Sequence, residues 1–256
     1  MNVRQLAVMT KDIRGVTLNK QVFAVLLIVP LALTIVLPSI FVLVTAFAPD
    51  AASDFQKILD MLPADNGARS QQQRIFGLIL NNIMPVFFLM IPIMASSVMA
   101  ASSFVGEKEK HTLETLLYSP LSLKQMFQAK ILAGFSVGMM VSYISFAAMM
   151  LVLELEVFLL TGKAILPSSS WLAIMLLIAP AISIIAIAVT VRSSAKAQTI
   201  EEAQQRAVFL VFPILALLIG QFTGILLISA GLLWGVGAVL AALDVSLMRG
   251  AAGSFT

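Results

Sequence analysis

The chain has 256 residues, the length of one large or two small domains, but 60% of them are hydrophobic where soluble domains carry about 45–50%. Its charged side chains, 16 basic and 13 acidic, are bunched so that residues 21–49, 75–106, 131–153, 164–191 and 207–243 carry none, runs that no soluble fold hides. The absence of cysteine and the single His111 exclude disulfides, iron–sulfur clusters and Cys- or His-rich metal sites, and the net charge of +3 comes from basic residues flanking apolar runs, not from a block that grips nucleic acid.

Residues 1–20 carry Val3, Leu6, Met9, Ile13 and Val16 at spacings of three and four, with Arg4, Lys11 and Arg14 off that stripe. This predicts an amphipathic helix too polar to insert, lying flat on the inner leaflet; a frayed tail is the competing reading. A first membrane span follows at about 22–48, with Pro30 and Pro38 inside it. Ala46-Phe47-Ala48 resembles a signal-peptidase site, but the apolar run far exceeds an h-region of about 7–15 residues and Pro49 would follow the cut. Ser53 to Gln56 fits a capping box. Phe55, Ile58, Leu59 and Leu62 then share a helical face until Pro63, Asn66-Gly67 marks a turn, and Ser70 with Gln73 forms a second capping box before the next helix.

The second span, about 75–104, contains Pro85 and Pro92. Gly106 to Lys130 then places Leu113, Leu116 and Leu117 on a helix of barely two turns, ended by Pro120, and Ser122 with Gln125 caps the third span, about 131–153. A helix so short is unstable alone, so its leucines need a partner. A docking knob for a cytoplasmic subunit fits this device; a loop packed on its own spans is the alternative. The fourth span, about 171–191, contains Pro180, and Arg192 to Arg206 is a polar, helix-favouring inner loop, read either as a second partner contact or as solvated helix ends. Residues 207–248 are about twice the length a bilayer needs, so they hold two spans, about 207–227 and 230–248, broken near Ser229, with Asp244 beside Arg249. Prolines inside spans, Pro213 included, are expected bends.

Six spans put both termini on one side. With the N-terminus inside, the inner segments hold twelve lysines and arginines against four outside, Lys57, Arg69, Arg74 and Lys163, which assigns N-in and C-in. The expectation is an all-α polytopic membrane protein, a single domain over 1–256, in the cytoplasmic membrane of a prokaryotic cell.

Motifs for chemistry fail on context. Gly134-Phe135-Ser136-Val137-Gly138 matches a nucleophile elbow, but that motif needs a strand-to-helix turn and here lies inside an apolar helical span, where small residues ease helix packing. His111 and Glu114 lack the second histidine of a zinc motif, and no phosphate-binding loop occurs, so the chain is not expected to be an enzyme or to hold a cofactor. Glu154 and Glu156 sit at the outer end of span three, and no ionisable residue lies near a span's midplane, so any transport would draw its energy from elsewhere.

The stretch Gly106-Glu107-Lys108-Glu109-Lys110-His111-Thr112-Leu113-Glu114-Thr115-Leu116-Leu117-Tyr118-Ser119-Pro120-Leu121-Ser122, followed by Lys130, resembles the "EKE-x-GTLE-x-LL-x-x-P" segment of type-2 ATP-binding-cassette (ABC-2) export permeases, with His111 in place of the usual glycine. Lys11-Asp12-Ile13-Arg14 in the first helix and Arg192-Ser193-Ser194-Ala195-Lys196 after the fourth span are also similar to that family. The resemblance implies a permease subunit forming a homo- or heterodimer with a second copy or paralogue, in contact with membrane lipid. A separate ATPase subunit would bind ATP and magnesium. It implies an N-terminal elbow helix and a coupling helix at Thr112–Tyr118, with Glu107, Glu109, Thr112, Leu113, Glu114, Leu116 and Leu117 as ATPase-coupling residues and Ser193, Lys196 and Glu201 as a second contact. The substrate path would run between spans two and five, with Asn81, Asn82, Met84, Met90, Phe212, Gln221 and Phe222 as candidate lining. The rival reading is a non-transporting membrane sensor or immunity protein that binds another cytoplasmic partner.

Overall fold

A computed structural model describes residues 3–47, 70–109, 121–194, 196–197, 199–209, 211–222, 231 and 233–240. Among them the regular structure is helical, with no strand: α1 (Val3–Leu18), α2 (Lys20–Phe47), α3 (Gln71–Glu109), α4 (Leu123–Thr161), α5 (Ser169–Ser194), α6 (Ile200–Val208), α7 (Val211–Phe222) and helical residues 233–240. The helices α2 to α5 are long and apolar enough to cross a membrane, so the chain is a multi-pass membrane protein. The capping box expected at Ser53, the break near Ser229, and Asp244 with Arg249 lie outside the described residues.

Local chemistry sets the helix ends. Asn19 separates α1 from α2 because its Oδ1 accepts the backbone N–H groups of Gln21 and Val22, at 3.2 and 3.4 Å. Ser70 and Ser122 open α3 and α4 with the reciprocal capping boxes expected from sequence, paired with Gln73 and Gln125. Gly162 closes α4 in the left-handed conformation, φ 67°, where its N–H bonds the Phe158 carbonyl.

These caps carry the helices beyond the expected spans. The third span, expected at 131–153, belongs to a helix running from Leu123 to Thr161; the second and fourth lengthen to Gln71–Glu109 and Ser169–Ser194. A charge-free run marks the thickness of hydrocarbon, whereas a helix continues into polar surroundings until a cap or breaker ends it. The fifth is shorter than expected at its start: a turn at Phe209 splits 207–222 into the end of polar α6 and apolar α7.

Two pairs of prolines are accommodated differently. In α2 the helix runs through Pro30 and Pro38, and both lie on its single packed face with Leu26, Thr34, Val42 and Thr45. A π-helical turn precedes the first proline of α3 and the proline of α5: Ile79–Ile83 before Pro85, and Ile174–Ile178 before Pro180, whereas Pro92 follows a turn at Leu89. A proline ring collides with the carbonyl four residues back in a regular α-helix, and the wider π turn relieves that collision without ending the helix.

The central helix is α3, whose most apolar stretch is 83% buried, against 28% and 22% for α2 and α4, which turn large apolar side chains outward. Close approach of α4 to α3 depends on small residues. An added Cβ at Gly138 would lie 2.0 Å from Ser96 Oγ, and one at Gly134 would lie 3.3 Å from Ile187 of α5. The G-x-S-x-G sequence is therefore a packing seam inside a continuous helix. At one end of the bundle Trp171 packs edge-on to Phe88, with ring centroids 5.4 Å apart, and donates its Nε1–H to the Leu80 carbonyl inside the first π turn, at 3.1 Å.

Candidate functional site

The other end of the bundle, where α3 terminates, holds the densest charge cluster among the described residues. Glu107 and Glu109 fall in the last turn of α3, where the helix dipole disfavours carboxylates, so their placement needs a compensating cation. For Glu107 there are two. Lys130 of α4 reaches Oε2 at 2.7 Å and Lys11 of α1 reaches Oε1 at 2.6 Å. Lys130 also lies 3.6 Å from Asp12 of α1, donates to the Ser103 carbonyl at 2.7 Å and Ser103 Oγ at 3.2 Å, and sits 5.2 Å from the centre of the Phe104 ring. Ser103 Oγ in turn donates to Asp12 at 2.5 Å, and Lys11 lies 3.3 Å from the same carboxylate.

Two lysines and two carboxylates balance in charge, and this balance lets Lys130 and Asp12 remain 4% and 3% exposed, because buried ions persist when each is paired and hydrogen-bonded. Burial by itself would lower the Lys11 ammonium, but its hydrogen bond to Glu107 and the charges of Asp12 and Glu107 outweigh this and hold it above its ordinary 10.5. The cluster ties three elements distant in sequence, α1, α3 and α4, into one unit. Gln5 strengthens the α1–α4 seam by donating to the Gln125 carbonyl.

A second grip holds the other flank of the same turn. Lys108 donates to the Ala197 carbonyl at 2.9 Å, and Ala101 and Val105 of α3 pack with Ala197, Ile200 and Ala203, seating α6 on α3. The last turn of α3, which leads directly into residues 110–120, is thus held by α1 and α4 through Glu107 and by α6 through Lys108.

Of the coupling residues expected from sequence, Glu107 faces the chain's own lysines and Glu109 is exposed at the helix end. Thr112, Leu113, Glu114, Leu116 and Leu117 lie outside the described residues. Lys196 and Glu201 are exposed, and the Ser193 carbonyl accepts the N–H groups of Lys196 and Ala197 in the turn before α6.

Of the expected path residues, Asn81 and Asn82 line a cavity of about 290 Å³ bounded by α3, α5, α7 and residues 233–240, with Ile178, Pro213, Ile214 and Leu233 among its walls. Met84 is buried on another face of α3, beside Leu33, Thr34 and Pro38 of α2, and half-buried Met90 packs on the core. Phe212 is exposed, its ring 5.9 Å from that of Phe209; the side chains of Gln221 and Phe222 lie outside the described residues.

In the sequence Lys11, Asp12 and Lys130 belong to the inner-side segments and to the family resemblance, with nothing to show that they meet, and Ser103 stands out in neither. The structure corrects the expected apolar stripe of α1: Asp12 shares the buried face with Gln5 and Val16, seven and four residues away, whereas apolar Val3 and Leu6 point outward.

No curated protein and no solved structure matches the chain. A family described as "ABC-2 family transporter protein" does match, over residues 40–200, which run from the end of α2 through α5 to the first residue of α6 and include Glu107 and Lys130. Over more than half of its length the chain fits that description, and it belongs to the ABC-2 family of transporter membrane proteins.

Proposed function

We propose that the chain is the permease subunit of an ATP-driven exporter, working as a dimer with a second copy or paralogue and moved by a separate ATPase subunit that binds ATP and magnesium. In this reading the chain has six spans with both termini in the cytoplasm of a prokaryotic cell, α1 is an elbow helix at the inner leaflet, and 110–120 carries the coupling helix with Thr112, Leu113, Glu114, Leu116 and Leu117. Exposed Val3 and Leu6 on α1 support the interfacial position, since an apolar edge opposite the packed face suits a lipid boundary.

The observation that carries the proposal is the double grip on the last turn of α3. A force applied to residues 110–120 enters the membrane through Glu107 and Lys108, and their partners lie on α1, α4 and the 197 turn before α6. Packed elements joined by buried ion pairs move as a body, so an ATPase pushing on a short segment would displace several helices together. Glu109, Lys196 and Glu201 are exposed around that grip and serve as further ATPase contacts. Substrate would leave between α3 and α7 of each half, with Asn81, Asn82, Met90, Phe212, Gln221 and Phe222 as candidate lining; Met84, turned toward α2, drops out of the expected set.

The test is Leu117→Asp in the reconstituted permease and ATPase. Stimulation of ATP hydrolysis by the permease and ATP-dependent export should fall at least tenfold, while membrane insertion and helix content stay at the wild-type level. Unchanged export in this variant would overturn coupling through the 110–120 segment.

A further inference from the structure

The cavity lined by Asn81 and Asn82 lies inside a single chain and is apolar apart from those two amides. Its wall on α3 extends from Asn81 to Ile93, roughly 18 Å of helix, and that on α5 from Ile174 to Ile185, roughly 16 Å. The space is therefore a narrow slot. Both π turns border it: Asn81 and Asn82 belong to one, Ile174 and Ile178 to the other. Such turns recur at functional sites because they re-aim side chains that a regular helix would present elsewhere.

We propose that this slot holds one acyl chain of a bilayer lipid, with the chain's carbonyl end at Asn81. An apolar cavity in a protein does not fill with water, and no ionised side chain lines this one, so its occupant is a hydrocarbon. A wall residue, Val236, is 43% exposed, so the slot opens sideways at the depth of membrane-crossing α3 and α5, where acyl chains are the abundant hydrocarbon.

The polar end offers a donor. Asn81 Oδ1 accepts the Ser168 N–H at 2.7 Å, which commits the amide oxygen and leaves its nitrogen as a donor. An ester carbonyl in the slot accepts from that nitrogen. The proposal rests on the membrane fold and not on coupling to an ATPase.

The test uses the purified full chain in phosphatidylcholine nanodiscs whose acyl chains carry a diazirine either near the carbonyl or near the methyl end, with adducts mapped by peptide mass spectrometry. The carbonyl-end probe should label Asn81 and Asn82 and the methyl-end probe Ile182 and Ile185, whereas outward-facing Leu151, Leu155 and Leu159 of α4 report bulk lipid. Filling the slot with Ile182→Phe should lower slot labelling at least fivefold and leave α4 labelling unchanged. Val236→Phe, at an exposed wall position, repeats the test if the first variant loses helix content. Slot labelling that survives in the folded variants, or that ignores the position of the diazirine, would overturn the proposal. Absence of slot adducts in the wild-type chain while α4 is still labelled would overturn it as well.

Discussion

Lys130 of α4 and Glu107 of α3 stand 2.7 Å apart with 4% and 10% of their side chains exposed, a buried ion pair at the point where the central helix leaves the bundle. Such a pair contributes little over a well-packed apolar substitute, but removing one partner leaves an uncompensated buried charge. Lys130→Met should therefore destabilise the chain by about 3–5 kcal/mol. Thermal unfolding in detergent checks this, and the double variant with Glu107→Gln should recover part of the loss. A single variant as stable as wild type would show that the pair is not shielded.

The positions of α2 to α5 were legible in the sequence because a run of 23 or more uncharged residues has no other physical home. Both capping boxes were legible too, since Ser70 with Gln73 and Ser122 with Gln125 act within one turn. The charge cluster was not, because it joins residues 96 apart, Lys11 with Glu107, and 27 apart in Ser103 with Lys130, and no local pattern reports which charges meet across a bundle. Glu107 stood out through its motif, but the motif is silent on whether its carboxylate faces a partner protein or the chain's own lysines. The π turns were half legible: Pro85 and Pro180 announce a distortion, whereas Pro30 and Pro38, the same residue type, sit in an unbroken helix.

Alkaline pH should loosen α1. The Lys11 ammonium is held above 10.5 in the folded chain, so it binds its proton more tightly there than when unfolded. Its contribution is fully present below the unfolded value and is lost as pH rises through the higher folded value. The melting difference between wild type and Lys11→Met should be constant up to about pH 10 and shrink above it. Because Lys11 is 55% exposed, solvent screens the pair and the difference should be modest. A gap that grows with alkalinity would contradict the assigned contact.

The seam between α3 and α4 makes a reciprocal prediction. Gly138→Ala puts a methyl group 2.0 Å from Ser96 Oγ and 3.3 Å from Ser96 Cα, so the helices must separate, at about 1–3 kcal/mol. Adding Ser96→Gly removes both the hydroxyl and the Cβ in the way and should restore most of the stability. Gly77→Ala is the control: nothing lies within 4 Å of its new methyl, and alanine is favoured over glycine in a helix by about 1 kcal/mol. Equal effects of Gly77→Ala and Gly138→Ala would rule out steric contact as the cause.

Trp171 ties the start of α5 to the first π turn of α3 through its Nε1–H and the Leu80 carbonyl. Trp171→Phe keeps an aromatic ring against Phe88 and Phe146 but removes the donor, leaving a buried carbonyl without that bond. The loss should be about 1–3 kcal/mol from the orphaned acceptor, with a further cost for the smaller ring. The chain has only two tryptophans, and Trp234 is 41% exposed, so Trp234→Phe leaves Trp171 as the single emitter. In that background the emission should be blue and poorly quenched by acrylamide, and it should shift red in the same transition that reports loss of helix. Red, freely quenched emission from the folded protein would mean that the contact between α5 and the π turn does not form.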